Sequence, residues 1–330
     1  MPLNHAAPAT PSPSRRHALA TFGATAVLGA CAAVAPGPAD PVLRVEASPA
    51  PGGQAPFRHI ATSVGRLAVQ DLPPLPGAAA TGRQTLVLWP SILADHGIYR
   101  AQIPVWRQRH RVIVIDGPGH GASGPAPAGF SMADCADAMV GILDALGVDG
   151  PVIPVGTSWG GLVGGEFALA YPRRTRALVM LNTPVFVAPQ GPSLSDRFVV
   201  WGARWLHGTT LYSDGVARAF FLPSTRARGG AQLDAFHRHL RDADGAALAL
   251  ATRSVLLDRA PLAPRLAGIE VPTLFVAGEH DGMYPLGALR QAAASLPHGR
   301  FVALPTAHIS AVDAPEGVTR LVAAFIDTLS

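Results

Sequence analysis

Residues 152–170 read Val-Ile-Pro-Val-Gly-Thr-Ser-Trp-Gly-Gly-Leu-Val-Gly-Gly-Glu-Phe-Ala-Leu-Ala, and the reading of this stretch decides the fold. An apolar run (Val152–Val155) meets Gly156-Thr157-Ser158-Trp159-Gly160, and a small-residue helical pattern continues through Gly161–Ala170. Gly-x-Ser-x-Gly between a strand and a helix predicts a very tight turn that lifts the serine hydroxyl above the end of a sheet. The serine then sits in strained dihedrals at the positive end of a helix dipole, with only glycine fitting on either side. Pro154 is the local conflict, because it removes a ladder donor; it is expected near the strand's end.

Working outward, Ile60–Val64 and Leu67–Val69 predict two strands joined at Gly65-Arg66. Thr85–Leu88, Val112–Ile115, Ala177–Leu181, Thr273–Ala277 and Arg300–Leu304 are continuous apolar runs, as expected of strands buried on both faces. Between them, Ser131-Met-Ala-Asp134 predicts a capping box that opens a helix ending near Gly147. This alternation predicts an α/β domain with a mostly parallel sheet and helices on both faces. Residues 187–262 break the alternation and predict a helical insertion, with helices at Gln232–Arg241 and Gly245–Leu257.

A serine hydroxyl needs a base to take its proton and an acid to orient that base. Asp281 lies just past the Thr273–Ala277 run, and His308 just past the last one, so both fall at the same sheet edge as Ser158. Glu279 is a rival acid two residues from Asp281, and His120 and His280 read as loop hydrogen-bonders.

With these residues in this order, the chain from about residue 57 onward resembles the α/β-hydrolases, and Asp116-Gly-Pro-Gly-His-Gly-Ala-Ser123 is similar to a loop of that family. The resemblance implies Ser158 as nucleophile, Asp281 as orienting acid and His308 as general base. It further implies an oxyanion hole from the backbone N–H of Trp159 and a second N–H from the loop after Thr85–Leu88. There the family commonly carries His-Gly, whereas this chain has Trp89-Pro90-Ser91-Ile92. Pro90 has no N–H, so the second donor is expected at Ser91, with Ile92 as the alternative. The activity implied is hydrolysis of a carboxylic ester or lactone through an acyl-enzyme; a serine rather than an aspartate nucleophile excludes the dehalogenase branch. Nothing in the residues calls for a metal or organic cofactor.

Substrate identity is less determined. Trp201, Trp205, Tyr212, Phe220 and Phe221 read as the packing core of a helical lid, with an apolar acyl pocket as the alternative. Ser158-Trp159-Gly160 is also similar to the elbow of proline iminopeptidases, which bind a free amine through lid glutamates. Residues 187–262 hold six aspartates and no glutamate, which weakens that reading. A cofactor-free perhydrolase, a carbon–carbon bond hydrolase and a non-catalytic tethered binding module are the other readings.

The front of the chain reads as an address. Arg15-Arg16, the uncharged Ala18–Ala30 and Leu28-Gly29-Ala30-Cys31 predict a signal peptide over 1–30, resembling the bacterial lipobox with Cys31 lipidated. Residues 31–56 predict a Pro/Ala/Gly-rich tether. The hydrolase core is expected at 57–186 and 263–330, with the lid at 187–262. The chain is then an exported lipoprotein on the periplasmic or cell-surface side, held to a membrane by its lipid anchor only.

Composition narrows the chemistry further. Of 330 residues, all 26 basic ones are arginine and none is lysine, which excludes Schiff-base, P-loop and serine–lysine mechanisms. The net charge of +4 is spread along scattered arginines, without the basic stripe or zinc-finger spacing of a nucleic-acid binder.

Overall fold

The computed structural model describes residues 45–48, 56–77, 82–188 and 190–329. Cys31 and the expected signal segment lie outside the described residues. Among the described residues nine strands form one sheet: β1 (Val45–Ser48), β2 (Phe57–Thr62), β3 (Gly65–Leu72), β4 (Thr85–Trp89), β5 (Arg111–Ile115), β6 (Ile153–Thr157), β7 (Leu178–Leu181), β8 (Thr273–Gly278) and β9 (Gly299–Leu304). Their order is β1-β2-β3-β5-β4-β6-β7-β8-β9. β1, β2, β3 and β5 pair antiparallel in turn, and every pairing from β5 through β9 is parallel.

The long apolar runs behave as expected of doubly covered strands: β6, β7 and β8 are buried at every position. β9 differs, being half-exposed along its length as the edge of the parallel side. Pro154 falls second in β6. On the β7 side, pairing is made at Val152–Thr175 and resumes at Val155–Val179, so the residue without an N–H lies where that ladder is interrupted.

The stretch read as a tether is corrected at one point. Val45–Ser48 form β1, pairing with β2 from Val45–Ile60 to Ser48–Phe57. A four-residue strand flanked by prolines at 41 and 49 carries no long periodic signal, and an extended segment joins an open sheet edge at little conformational cost. The first hairpin also turns earlier than expected, at Ser63-Val64.

Eleven helices complete the described chain: α1 (Ile103–Trp106), α2 (Met132–Ala145), α3 (Trp159–Ala170), α4 (Leu194–Trp205), α5 (Thr210–Phe220), α6 (Pro223–Arg228), α7 (Ala231–Asp242), α8 (Gly245–Leu256), α9 (Leu286–Ala293), α10 (Ser310–Asp313) and α11 (Pro315–Asp327). α2 opens on the expected capping box: the Ser131 hydroxyl accepts from the Asp134 N–H, and the Asp134 carboxylate accepts from the Ser131 N–H. Five helices, α4 to α8, fill the segment between β7 and β8.

Candidate active site

Ser158 is the single residue between β6 and α3, and its φ of 54° and ψ of −109° are a conformation that side chains rarely adopt. Such strain costs on the order of 1–3 kcal/mol and persists only where the surroundings over-determine it. Here the Ser158 N–H donates to the Leu181 carbonyl at 2.7 Å, tying the turn to the end of β7. A Cβ on Gly156 would lie 2.0 Å from the Gly160 carbonyl carbon, and one on Gly160 would lie 1.9 Å from the Trp89 carbonyl oxygen. Both glycines are therefore required by contact.

Three loops at the carboxyl ends of β6, β8 and β9 converge there. His308 Nε2 is 2.8 Å from Ser158 Oγ, and His308 Nδ1 is 2.7 Å from Asp281 Oδ2. All three side chains are buried. The network sets the tautomer: a carboxylate only accepts, so Nδ1 carries the proton and Nε2 receives the serine's. Asp281 Oδ1 accepts from the Met283 N–H at 3.1 Å, which fixes the carboxylate. Glu279 and His280 are exposed and stand outside this chain of hydrogen bonds.

The His308 loop is held from two sides. Asn182 Nδ2 donates to the Ala307 carbonyl at 3.0 Å, and the Ala307 N–H donates to the Asp313 carboxylate at 2.8 Å. Asp313 also accepts from the Leu222 N–H, and the Ile309 N–H donates to the Phe220 carbonyl. The five-helix segment is thus bonded to the loop that carries the histidine. Phe220 and Tyr284 lie beside His308, at ring-centroid distances of 5.4 and 5.8 Å, and screen it from water. Burial pushes the Tyr284 hydroxyl pKa up, against the pull of the Arg259 guanidinium.

The loop after β4 is welded to the first turn of α3. The Gly160 N–H donates to the Pro90 carbonyl at 3.1 Å, and the Tyr99 hydroxyl donates to the Trp89 carbonyl at 3.0 Å while sharing a hydrogen bond with Thr157 Oγ1. Among the described residues, the N–H groups of Trp159, Ser91 and Ile92 have no protein acceptor. Ser91 is fully buried, and its hydroxyl is likewise without a partner.

Two further histidines set this loop's shape. His120 Nε2 accepts from the Leu93 N–H at 2.9 Å and Nδ1 faces the Pro118 carbonyl at 3.0 Å, so its ring is neutral. Burial, reinforced by nearby His239, lowers its pKa to about 3. The bond holds Leu93 at a φ of 61°, a conformation leucine avoids. His96 does the opposite. Burial alone would discharge it, but the charge and hydrogen bonds of fully buried Asp116 outweigh that and raise its pKa to about 9. Asp116 is in turn held below the ordinary carboxylate range, burial notwithstanding, by His96 and the N–H groups of Ala122 and His96.

Asn182, Tyr284, Asp313 and the His96–Asp116 pair are contributors that the sequence reading did not assign. Each acts across long separations or without a local pattern; Asp116 alone belongs to a recognisable segment, Asp116–Ser123. Among the described residues, no cluster of three or more His, Cys, Asp or Glu could hold a metal ion.

Comparison with known proteins identifies the fold family. A family model for the alpha/beta hydrolase fold matches residues 84–315. A putative carbamate hydrolase of Pantoea ananatis is 28% identical over 220 residues, 66% of this chain and 78% of that protein. A 3-oxoadipate enol-lactonase of Acinetobacter baylyi is 24% identical, covering 73% of this chain and 88% of its own length. Among solved structures, a thermophilic esterase from Thermogutta terrifontis superposes with a TM-score of 0.71 at 22% identity, covering 88% of this chain and 99% of that one; at that identity the likeness speaks for the fold.

Proposed function

This chain belongs to the α/β-hydrolase fold family and is a hydrolase, and from that premise we propose that it cleaves carboxylic esters or lactones through an acyl-enzyme on Ser158. The observation that carries the proposal is the unbroken relay from Asp281 through His308 to Ser158, at 2.7 and 2.8 Å. His308 Nε2 takes the serine proton as Oγ bonds to the substrate carbonyl carbon. The N–H groups of Trp159 and Ser91, with no competing acceptor, receive the oxyanion. As the carbon–oxygen bond to the leaving group breaks, His308 passes its proton to that oxygen. Water then adds to the acyl carbonyl, again losing its proton to His308, and Ser158 departs with that proton restored. Asp281 keeps the imidazole in one tautomer and stabilises its charged form throughout.

Carbamates are the second reading, favoured by the Pantoea ananatis relative. A panel of p-nitrophenyl esters of graded acyl length, lactones, carbamates and aminoacyl amides separates the two. The expected ranking by kcat/KM places an ester or lactone first; a carbamate or amide at the head of the panel contradicts the proposal.

The proposal extends to the rest of the chain. Residues 1–30 act as an export signal, Cys31 carries lipid, and the catalytic domain sits outside the inner membrane with residues 187–262 as its lid. Among the described residues, no helix is long and apolar enough to cross a membrane. Cys31→Ser is expected to release the mature chain from the membrane fraction, and unchanged fractionation contradicts the anchor.

A further inference from the structure

Helix α4 carries an apolar stripe that nothing covers among the described residues. Leu194, Phe198, Trp201 and Trp205 follow at spacings of four, three and four, which aligns them along one face. They are 81%, 51%, 39% and 63% exposed. The Phe198 and Trp201 rings stack at 5.6 Å, and Leu211 in the first turn of α5 is 70% exposed. The face of α4 turned away from the stripe, which carries Ala203, is buried, and Gly202 is buried at its flank. Helical spacing alone predicts Trp201 and Trp205 in a lid core, whereas only Tyr212, Phe220 and Phe221 of that set are buried. The chain's other three tryptophans, Trp89, Trp106 and Trp159, are all fully buried, so the pair on α4 is the exception. A contiguous exposed apolar face of this size marks an interaction surface.

The charges beside the stripe identify the occupant. Arg197 and Arg204, seven residues apart, run along one edge, and the Arg204 guanidinium lies 4.6 Å over the Trp205 ring. The one acidic side chain of α4, Asp196, is turned back to cap the helix at Ser193. A second copy laid on this face would bring arginine against arginine; the one carboxylate that Arg204 senses, Asp244 at the start of α8, is engaged by the N–H groups of Ala246 and Ala247. Residues 187–262 hold nine arginines against six aspartates, a charge of +3 out of the chain's +4. Tryptophan and phenylalanine on one face with arginine at its edge are what an anionic headgroup layer accommodates. We propose that α4 docks on an anionic lipid bilayer, its stripe in the boundary between headgroups and acyl chains and Arg197 and Arg204 on the lipid phosphates. This surface is separate from the lipid expected on Cys31 and does not depend on the reaction at Ser158.

The test uses the full chain with Cys31→Ser, so that no attached lipid contributes, and vesicles of phosphatidylcholine with and without a quarter phosphatidylglycerol, the acyl chains brominated. Because the five tryptophans are all accounted for, bromine quenching reads Trp201 and Trp205 while the three buried ones stay bright. The expected result is co-sedimentation with the anionic vesicles and quenching of the exposed pair. Trp201→Ser with Trp205→Ser should weaken sedimentation at least about tenfold, and Arg197→Gln with Arg204→Gln about tenfold, with a loss in salt. Melting temperatures of both double variants close to the parent show that the fold is kept. Equal sedimentation of parent and variants, absence of quenching, or no preference for the anionic vesicles overturns the proposal. So does a concentration-dependent dimer that the tryptophan double variant abolishes while vesicle binding is absent.

Discussion

Replacing Asp116 with asparagine removes the charge that keeps His96 protonated, and the consequence is a change in how stability depends on pH. His96 has an ordinary value of 6.5 and is raised to about 9 in the folded protein. The folded state therefore holds a proton that the unfolded chain releases above pH 6.5. That contribution is complete below pH 6.5 and disappears as pH rises through 9. The difference between 6.5 and about 9 corresponds to about 3 kcal/mol for this side chain, which is 21% exposed. The partner's own contribution, from an Asp116 carboxyl lowered below 3.8, is present above that pH and fails only on the acid side. The chain has no lysine to titrate in the alkaline window. Cys135 and the four tyrosines are all raised in the folded state and lose stability there too, so the difference between wild type and variant isolates His96. Urea unfolding followed by circular dichroism at pH 6 to 10 is the assay. Wild type should lose about 3 kcal/mol more than Asp116→Asn over that range. Parallel stability curves for the two proteins would refute the assignment of a charged His96.

Three more outcomes follow from the geometry. Gly160→Ala puts a Cβ 1.9 Å from the Trp89 carbonyl oxygen, and should lower stability by more than about 3 kcal/mol in the same urea assay; a normal midpoint contradicts the contact. Asp281→Asn keeps the shape of the site but releases the tautomer of His308, so kcat on the best ester should fall by roughly 10³–10⁴ with the melting temperature little changed. His120 is neutral and buried with a pKa near 3, so the unfolded chain gains a proton first as pH drops below 6.5. Wild type should therefore lose stability between pH 6.5 and 3 more steeply than His120→Asn, and equal slopes contradict the neutral ring.

Much of this was legible because the local and distant signals agree. Gly156, Ser158 and Gly160 declare a turn by themselves, and the apolar runs that became β4 to β8 are long enough to stand out. Ser158, Asp281 and His308 could be placed at one sheet edge because each follows a strand directly, and the hydrogen bonds among them could be anticipated from chain order. What escaped has a common physical cause. β1 is held by main-chain pairing to β2, which leaves no side-chain pattern to read. Asp313 and Asn182 position the His308 loop from residues whose importance arises only when strands meet in space. The exposure of Trp201 and Trp205 was misread because a stripe at helical spacing states that one face is apolar, not which way that face turns.

The central claim is that Ser158 is a nucleophile activated by His308. Labelling with a fluorophosphonate followed by peptide mass analysis tests it most directly. One adduct per chain on the peptide containing Ser158, absent in Ser158→Ala and strongly slowed in His308→Ala, is the predicted result; an adduct on another residue, or equal labelling of wild type and Ser158→Ala, contradicts it.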